Sequence, residues 1–140
     1  MAVKASVVLL GMCLGLAASA SAQMTPVSLD CTTENGDTIG MRVCTELRDE
    51  IARSPHYREI SSNTEDTHWG LHIVSTATDE SKLVSAESVT ITEGAYLQYF
   101  VEDYVLVTAQ NRVNHQAQTI LAALDEQVTA FANTAFANRQ

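Results

Sequence analysis

The stretch from Asn111 to Asn133 constrains the fold most, because its apolar residues recur at spacings of three and four. These residues are Val113, Ala117, Ile120, Leu121, Leu124, Val128 and Phe131. The pattern predicts one amphipathic helix that starts at an Asn111 N-cap and buries one face. Such a helix is about 33 Å long, enough to cross a small sheet. We therefore expect the rest of the chain to supply that sheet.

The first 22 residues have the features of a secretory signal peptide. Lys4 precedes the apolar run SVVLLGMCLGLAA, and Ala20-Ser21-Ala22 has the small-x-small pattern of a signal-peptidase site. We expect cleavage before Gln23, which leaves a domain of 118 residues. The apolar run is short for a membrane span, and no cysteine follows the cleavage site to carry a lipid. The expected location is the periplasm or the extracellular medium, without membrane insertion.

The charge of the expected mature chain excludes some partners. Without residues 1–22 it has seven basic and 17 acidic residues, a net charge of −10. Such a surface repels nucleic acid and anionic lipid headgroups, so neither is an expected partner. A basic protein or a divalent cation is compatible with this charge. An acidic surface that only keeps the protein soluble is the alternative interpretation.

Two cysteines remain after signal cleavage, Cys31 and Cys44. In an oxidising compartment they predict a structural disulfide that joins the amino-terminal segment to the next helix. The turn sequence Glu34-Asn35-Gly36-Asp37 lies between them. A redox role would require a C-x-x-C spacing, which this pair does not have.

The remaining periodicity predicts a second helix and several strands. Val43, Leu47 and Ile51 lie four residues apart in a helix from about Thr38 to Arg53, capped by Asp37 or Thr38 and ended by Ser54-Pro55. Apolar residues then alternate with polar ones in strands at about Tyr57–Ser61, His68–Thr78, Leu83–Thr92 and Tyr96–Val107. Short polar turns imply antiparallel pairing. We expect an α+β domain over residues 23–133, in which two helices pack on one face of an antiparallel sheet of about four strands. Residues 134–140 are expected to form a frayed tail.

One residue disturbs the alternation of the last strand. Leu97, Tyr99, Val101, Val105 and Val107 share a face, and Asp103 falls among them. A β-bulge near Glu102-Asp103 that shifts the register would explain it. A functional buried carboxylate is the alternative.

Part of the chain resembles a known module. The sequence from Glu50 to Tyr57, EIARSPHY, joins a helix end to a short strand, and a strand with Gly70 and a helix with Arg112 and Ile120 follow. This succession, over about Thr38 to Val128, resembles the small amino-terminal module of the periplasmic Tol-Pal β-propeller protein. The resemblance implies contacts with envelope proteins through a flexible amino-terminal segment. The chain departs from the family in having Pro55 in place of a glycine, and no binding residue carries over.

The sequence contains no convincing catalytic or metal-binding pattern. His68 and His72 form H-x-x-x-H, but on a strand their side chains lie about 13 Å apart, too far to share a zinc ion. A nucleophile elbow and a Gly-rich phosphate loop are missing. We therefore expect neither a cofactor nor an enzyme. A protein-binding or adaptor module is the first hypothesis, an inhibitor of a basic secreted enzyme such as a lysozyme or protease the second, and a hydrolase the third.

Overall fold

The computed structural model describes residues 23–62, 67–94 and 98–137, so the predicted signal peptide lies outside the described residues. The elements are β1 (Thr25–Thr33), α1 (Thr38–Arg53), β2 (Tyr57–Ile60), β3 (His68–Ala77), β4 (Val84–Gly94), β5 (Gln98–Ala109) and α2 (Val113–Ala137). A single 3₁₀ turn over Gln110–Arg112 leads into α2. The predicted helix–strands–helix succession is therefore confirmed.

The sheet has five strands in the order β2-β1-β3-β4-β5. β1 pairs in parallel with both β2 and β3, whereas β3, β4 and β5 pair antiparallel. The α+β class with two helices is confirmed, but the prediction of about four antiparallel strands is wrong in this detail. The strand that the prediction lacked is β1. Its polar residues and Pro26 weaken the local strand signal, although Val27, Leu29 and Cys31 do alternate.

The core lies between the two helices and one side of the sheet, here called the inner face. The strand residues Val27, Leu29, Leu71, Ile73, Val89 and Ile91 are buried there together with the helix residues Val43, Leu47, Ile51, Ile120 and Leu124. Helix α1 buries the apolar stripe that its sequence predicts. In α2, Val113, Ala117, Ile120 and Leu124 of the predicted stripe are buried, Leu121 and Val128 are half-buried, and Phe131 is exposed. The opposite side of the sheet, the outer face, carries the alternate residues.

The start of helix α1 is stabilised by a side chain that accepts a hydrogen bond from a backbone amide of the first turn. Asp37 Oδ1 accepts a 2.9 Å hydrogen bond from the Gly40 amide, as expected of an N-cap. A Cβ on Gly40 would lie 2.0 Å from Ser75 Oγ, so only glycine lets the first turn of α1 approach β3 this closely. The helix ends at Ser54, whose extended backbone is what a following proline imposes.

Helix α2 is displaced from its predicted span. Asn111 lies in the 3₁₀ turn and does not cap the helix, which starts at Val113. The helix continues through Ala137, so the first four residues of the predicted frayed tail are helical, and residues 138–140 lie outside the described part. Near this end Phe131 packs edge-on against Trp69 of β3, with 5.9 Å between the ring centroids. This contact holds the last turns of α2 against the sheet.

Candidate functional site

The predicted disulfide is present and is structural in its placement. Cys31 of β1 is bonded to Cys44 of α1, with 6.4 Å between the Cα atoms. Cys44 is buried and Cys31 is half-buried. The bond therefore connects β1, which lies between its two parallel neighbours, to α1, the helix that covers it.

The two histidines of the H-x-x-x-H pattern lie on β3, as predicted, and have separate surroundings. His68 is buried and pairs in register with Gly94. His72 is half-exposed on the outer face, with Nδ1 3.4 Å from Asp30 Oδ2 and Nε2 3.1 Å from Thr92 Oγ1. Within residues 23–62, 67–94 and 98–137, no cluster of three or more His, Cys, Asp or Glu side chains is placed to hold a metal ion.

A cleft beside β2 contains a tyrosine–carboxylate pair. The phenol of Tyr57 donates a hydrogen bond to Asp125 Oδ1 of α2, and Thr25 and His56 also line the cleft. Burial, followed by the bond and the charge of Asp125, raises the pKa of the Tyr57 phenol. The bond connects α2 to β2, and the raised pKa favours the protonated form of the phenol that donates it.

Two carboxyl groups that sequence reasoning did not place in the core are buried near the start of α1. Asp37 is 1% exposed, and Glu87 of β4 is fully buried. Ser85 Oγ donates to Asp37 Oδ2 at 2.7 Å, and Thr108 Oγ1 donates to Glu87 Oε2 at 2.9 Å. A signal for Glu87 existed in the sequence, because it alternates in phase with Val89 and Ile91.

The two carboxyl groups respond to burial in opposite ways. For Asp37, burial opposes ionisation, but hydrogen bonds from the Gly40 amide and the Ser85 hydroxyl outweigh it, so its pKa lies below the usual value. For Glu87, burial dominates over the bond from Thr108, and the nearby Asp37 charge adds to it, so its pKa is raised. The fold thus favours a neutral Glu87 beside an ionised Asp37.

We expect Glu87→Gln to change how stability depends on pH. A raised pKa in the folded state contributes stability that is complete below the unfolded pKa and is lost as the pH rises through the folded pKa. Between these two values the wild-type protein should lose up to about 1.4 kcal/mol per pH unit relative to the variant, which cannot ionise. Thermal melts of both proteins over a series from about pH 4 to about pH 8 would measure this difference. The matched control is Glu126→Gln, which changes an exposed glutamate. If the stability of Glu87→Gln depended on pH in the same way as that of the wild-type protein, the expectation would be contradicted.

The bulge predicted in the last strand is present, but it does not account for Asp103 as expected. The β4–β5 register shifts between Ile91, which pairs with Glu102, and Thr92, which pairs with Phe100, so Val101 is the extra residue. Asp103 remains in phase with Val105 and Val107. It is not a buried carboxylate, because the face it shares with these valines is the exposed outer face. Of the predicted apolar row, Val105 and Val107 lie on this outer face, whereas Tyr99, on the other side of the bulge, pairs with Glu93 in phase with the inner Ile91. Leu97 lies outside the described residues.

This arrangement leaves an apolar surface on an edge strand. Phe100, Val105 and Val107 are 65%, 73% and 65% exposed, and all three point outward from β5. We call these three side chains, together with the unpaired backbone edge of β5, the β5 surface. Val74, two strands away on the same face, is also more than half exposed. Tyr104, Leu106 and Thr108 occupy the inner positions, half-buried or buried. Both sides of this strand are thus apolar, but only one is used by the core.

The charges around the β5 surface are acidic. Strands β1, β3, β4 and β5 contain no lysine or arginine. Asp103 is exposed beside Val105, whereas Glu102 points inward and accepts a 2.7 Å hydrogen bond from Gln127 Nε2 of α2. The exposed side chains of this surface are therefore apolar, with one carboxylate beside them.

Comparisons with known proteins add no family or relative to this description. A scan against protein-family models and a search of curated proteins found no match. In the described ranges of the chain, neither helix has both the length and the hydropathy of a membrane span.

Proposed function

We propose that the protein is an exported protein-binding module whose β5 surface receives an extended segment of an envelope or secreted protein by strand addition. The observation that carries this proposal is the combination of an edge strand of 12 residues with three outward-facing, exposed large apolar side chains. An added strand gains main-chain hydrogen bonds from the edge and side-chain contacts from alternate positions.

Edge strands of this kind are normally protected. Proteins cover them or place charges and proline along them, because an uncovered apolar edge pairs with other chains. The half of β5 from Tyr104 to Ala109 has no charge, proline or glycine. Its charges, Glu102 and Asp103, lie beside the bulge, so the remaining length of the edge is open to a partner.

The signal sequence and the disulfide support a periplasmic or secreted setting for this interaction. A disulfide between Cys31 and Cys44 is suited to an oxidising compartment and is rare in a reducing one. Export of the chain is therefore part of the proposal, and the resemblance to the Tol-Pal module agrees with an envelope partner.

Inhibition of a basic secreted enzyme is the second candidate, favoured by the net charge of −10 expected without residues 1–22. An inhibitor steered by charge should lose its association rate steeply as salt increases. Strand addition should depend much less on salt. The salt dependence of the association rate with a captured partner therefore separates the two functions.

We expect Val105→Thr combined with Val107→Thr to weaken partner binding by about tenfold or more, because threonine keeps the strand conformation but loses apolar contact. The partner would first be captured from an envelope extract with the wild-type protein, identified and purified, and its Kd then measured for each variant. Val74→Thr is the matched control: it changes a valine that is also more than half exposed on the same face, two strands from the edge.

The variants separate three outcomes of this experiment. Loss of affinity in the β5 double variant alone supports strand addition at the edge. An equal loss with Val74→Thr would indicate docking onto the open face of the sheet. Unchanged affinity in both would reject the β5 surface as the binding site.

A further inference from the structure

We infer that the β5 surface selects a cationic strand, one that places lysine or arginine opposite Asp103 and apolar residues opposite Val105 and Val107. This inference rests on the proposed function, because it specifies the chemistry of the segment that β5 receives. The expected occupant is an extended segment of a different protein. It has two apolar residues two positions apart and a positively charged residue two positions from one of them.

The positions of these three side chains determine the pattern. Asp103, Val105 and Val107 are alternate residues that follow the bulge, so they lie in a row on the outer face. In an added strand the directly opposite residue has its Cβ about 4.5–5.5 Å away, close enough for a cross-strand ion pair. The expected motif is therefore apolar-x-apolar-x-cation for an antiparallel partner and the reverse order for a parallel one.

Asp103 is available for such a pair. It is exposed, and among the described residues no lysine or arginine forms an ion pair with it. Its cross-strand neighbour on β4 is the uncharged Thr90, and the next residue in the row, His72 of β3, lies beside Asp30. Among the described strands, Arg58 is the only arginine, and it lies on β2 at the opposite edge. The described part of the chain thus leaves this charge on the β5 edge without an ion-pair partner.

A second copy of the chain is a poorer occupant. β5 has no lysine or arginine, so antiparallel pairing of two β5 strands would leave both Asp103 carboxylates without a cation. Two such molecules also repel each other, since each has a net charge of −9, or −10 without residues 1–22. Both facts favour a segment with one cation opposite Asp103 over a second copy of the chain.

Selection from a peptide library tests the inference directly. Random peptides of 12 residues, the length of β5, would be displayed and selected in parallel on the wild-type protein and on Asp103→Lys. We expect wild-type selections to enrich lysine or arginine two positions from an apolar pair, and Asp103→Lys selections to enrich aspartate or glutamate there. A wild-type-selected peptide should bind Asp103→Lys about tenfold more weakly. Because Asp103 is exposed, both proteins should melt at the same temperature.

Two further measurements make each outcome decisive. Binding of the selected peptides to the double variant Val105→Thr, Val107→Thr tests the edge itself. If the peptides bind this variant more weakly but show no charge preference, the cationic motif is overturned and strand addition stands. Peptides that ignore the valines, or no enrichment at all, would overturn both proposals. Sedimentation of the wild-type protein tests self-association, and a dimer that dissociates in the valine variant would show that β5 is taken by a second copy.

Discussion

Truncation of Leu124 to alanine is expected to lower the free energy of unfolding by about 2–5 kcal/mol. Leu124 is fully buried on the stripe of α2, in the core shared with α1 and the sheet. Removing its buried methyl groups loses their transfer free energy and leaves a cavity that the packed surroundings only partly fill. Urea denaturation of the variant and the wild-type protein would measure the difference. Leu121 is only half-buried, so its truncation should cost less.

The structure changes the choice of control for this experiment. Asp125 and Gln127 lie outside the apolar stripe of α2, so the helical pattern alone predicts that they point to water, but Asp125 accepts a bond from Tyr57 and Gln127 donates one to Glu102. Gln118 is exposed on α2, and Gln118→Ala should change stability by less than about 0.5 kcal/mol. If Leu124→Ala changed stability as little as Gln118→Ala, the packing of α2 onto the core would be refuted.

The second large effect concerns the disulfide. Replacing Cys31 and Cys44 together with serine should lower stability by about 2–4 kcal/mol, because the bond closes a loop over 13 positions and restricts the unfolded chain. Thermal or urea unfolding of the oxidised protein and the double variant measures the cost. Binding at the β5 surface should persist wherever the variant is folded, since two strands, β3 and β4, lie between β1 and β5.

Intact mass spectrometry of the protein recovered from the producing cell tests both the disulfide and the expected cleavage before Gln23. A chain that starts at Gln23 and is lighter by two hydrogen atoms would agree with both export and the bond. Two titratable thiols in the native exported protein would contradict the bond. Retention of residues 1–22 in a cytoplasmic pool would contradict export.

The parts of the fold that could be predicted are those encoded by nearby residues. The four-residue spacing of Val43, Leu47 and Ile51, with Ser54-Pro55 after it, predicts α1 to within a residue of its observed ends. The strands β2, β3 and β4 lie close to their predicted positions because apolar and polar residues alternate along them. Helix periodicity and strand alternation are local properties, so a single sequence is enough to detect them.

Long-range pairing could not be predicted in the same way. β1 lies between β2 and β3 and pairs with both in parallel, although no short turn connects it to either. Parallel pairing needs a crossover, here α1 between β1 and β2, and nothing in the local pattern of residues 25–33 announces it. The predicted hairpins account only for β3, β4 and β5.

The β5 surface shows most clearly which features follow from local residue patterns and which depend on long-range packing. The residue pattern of β5 predicts an apolar strand with a carboxylate in one of its alternating rows and an irregularity nearby. Packing in three dimensions sets the rest: Tyr104 and Leu106 face the helices, Val105 and Val107 face solvent, and β5 is at the edge of the sheet. The physical reason is that both rows of β5 are apolar, so alternation cannot choose between them. That choice depends on how α2 and β4 pack against the strand, which residues far apart in the chain determine together.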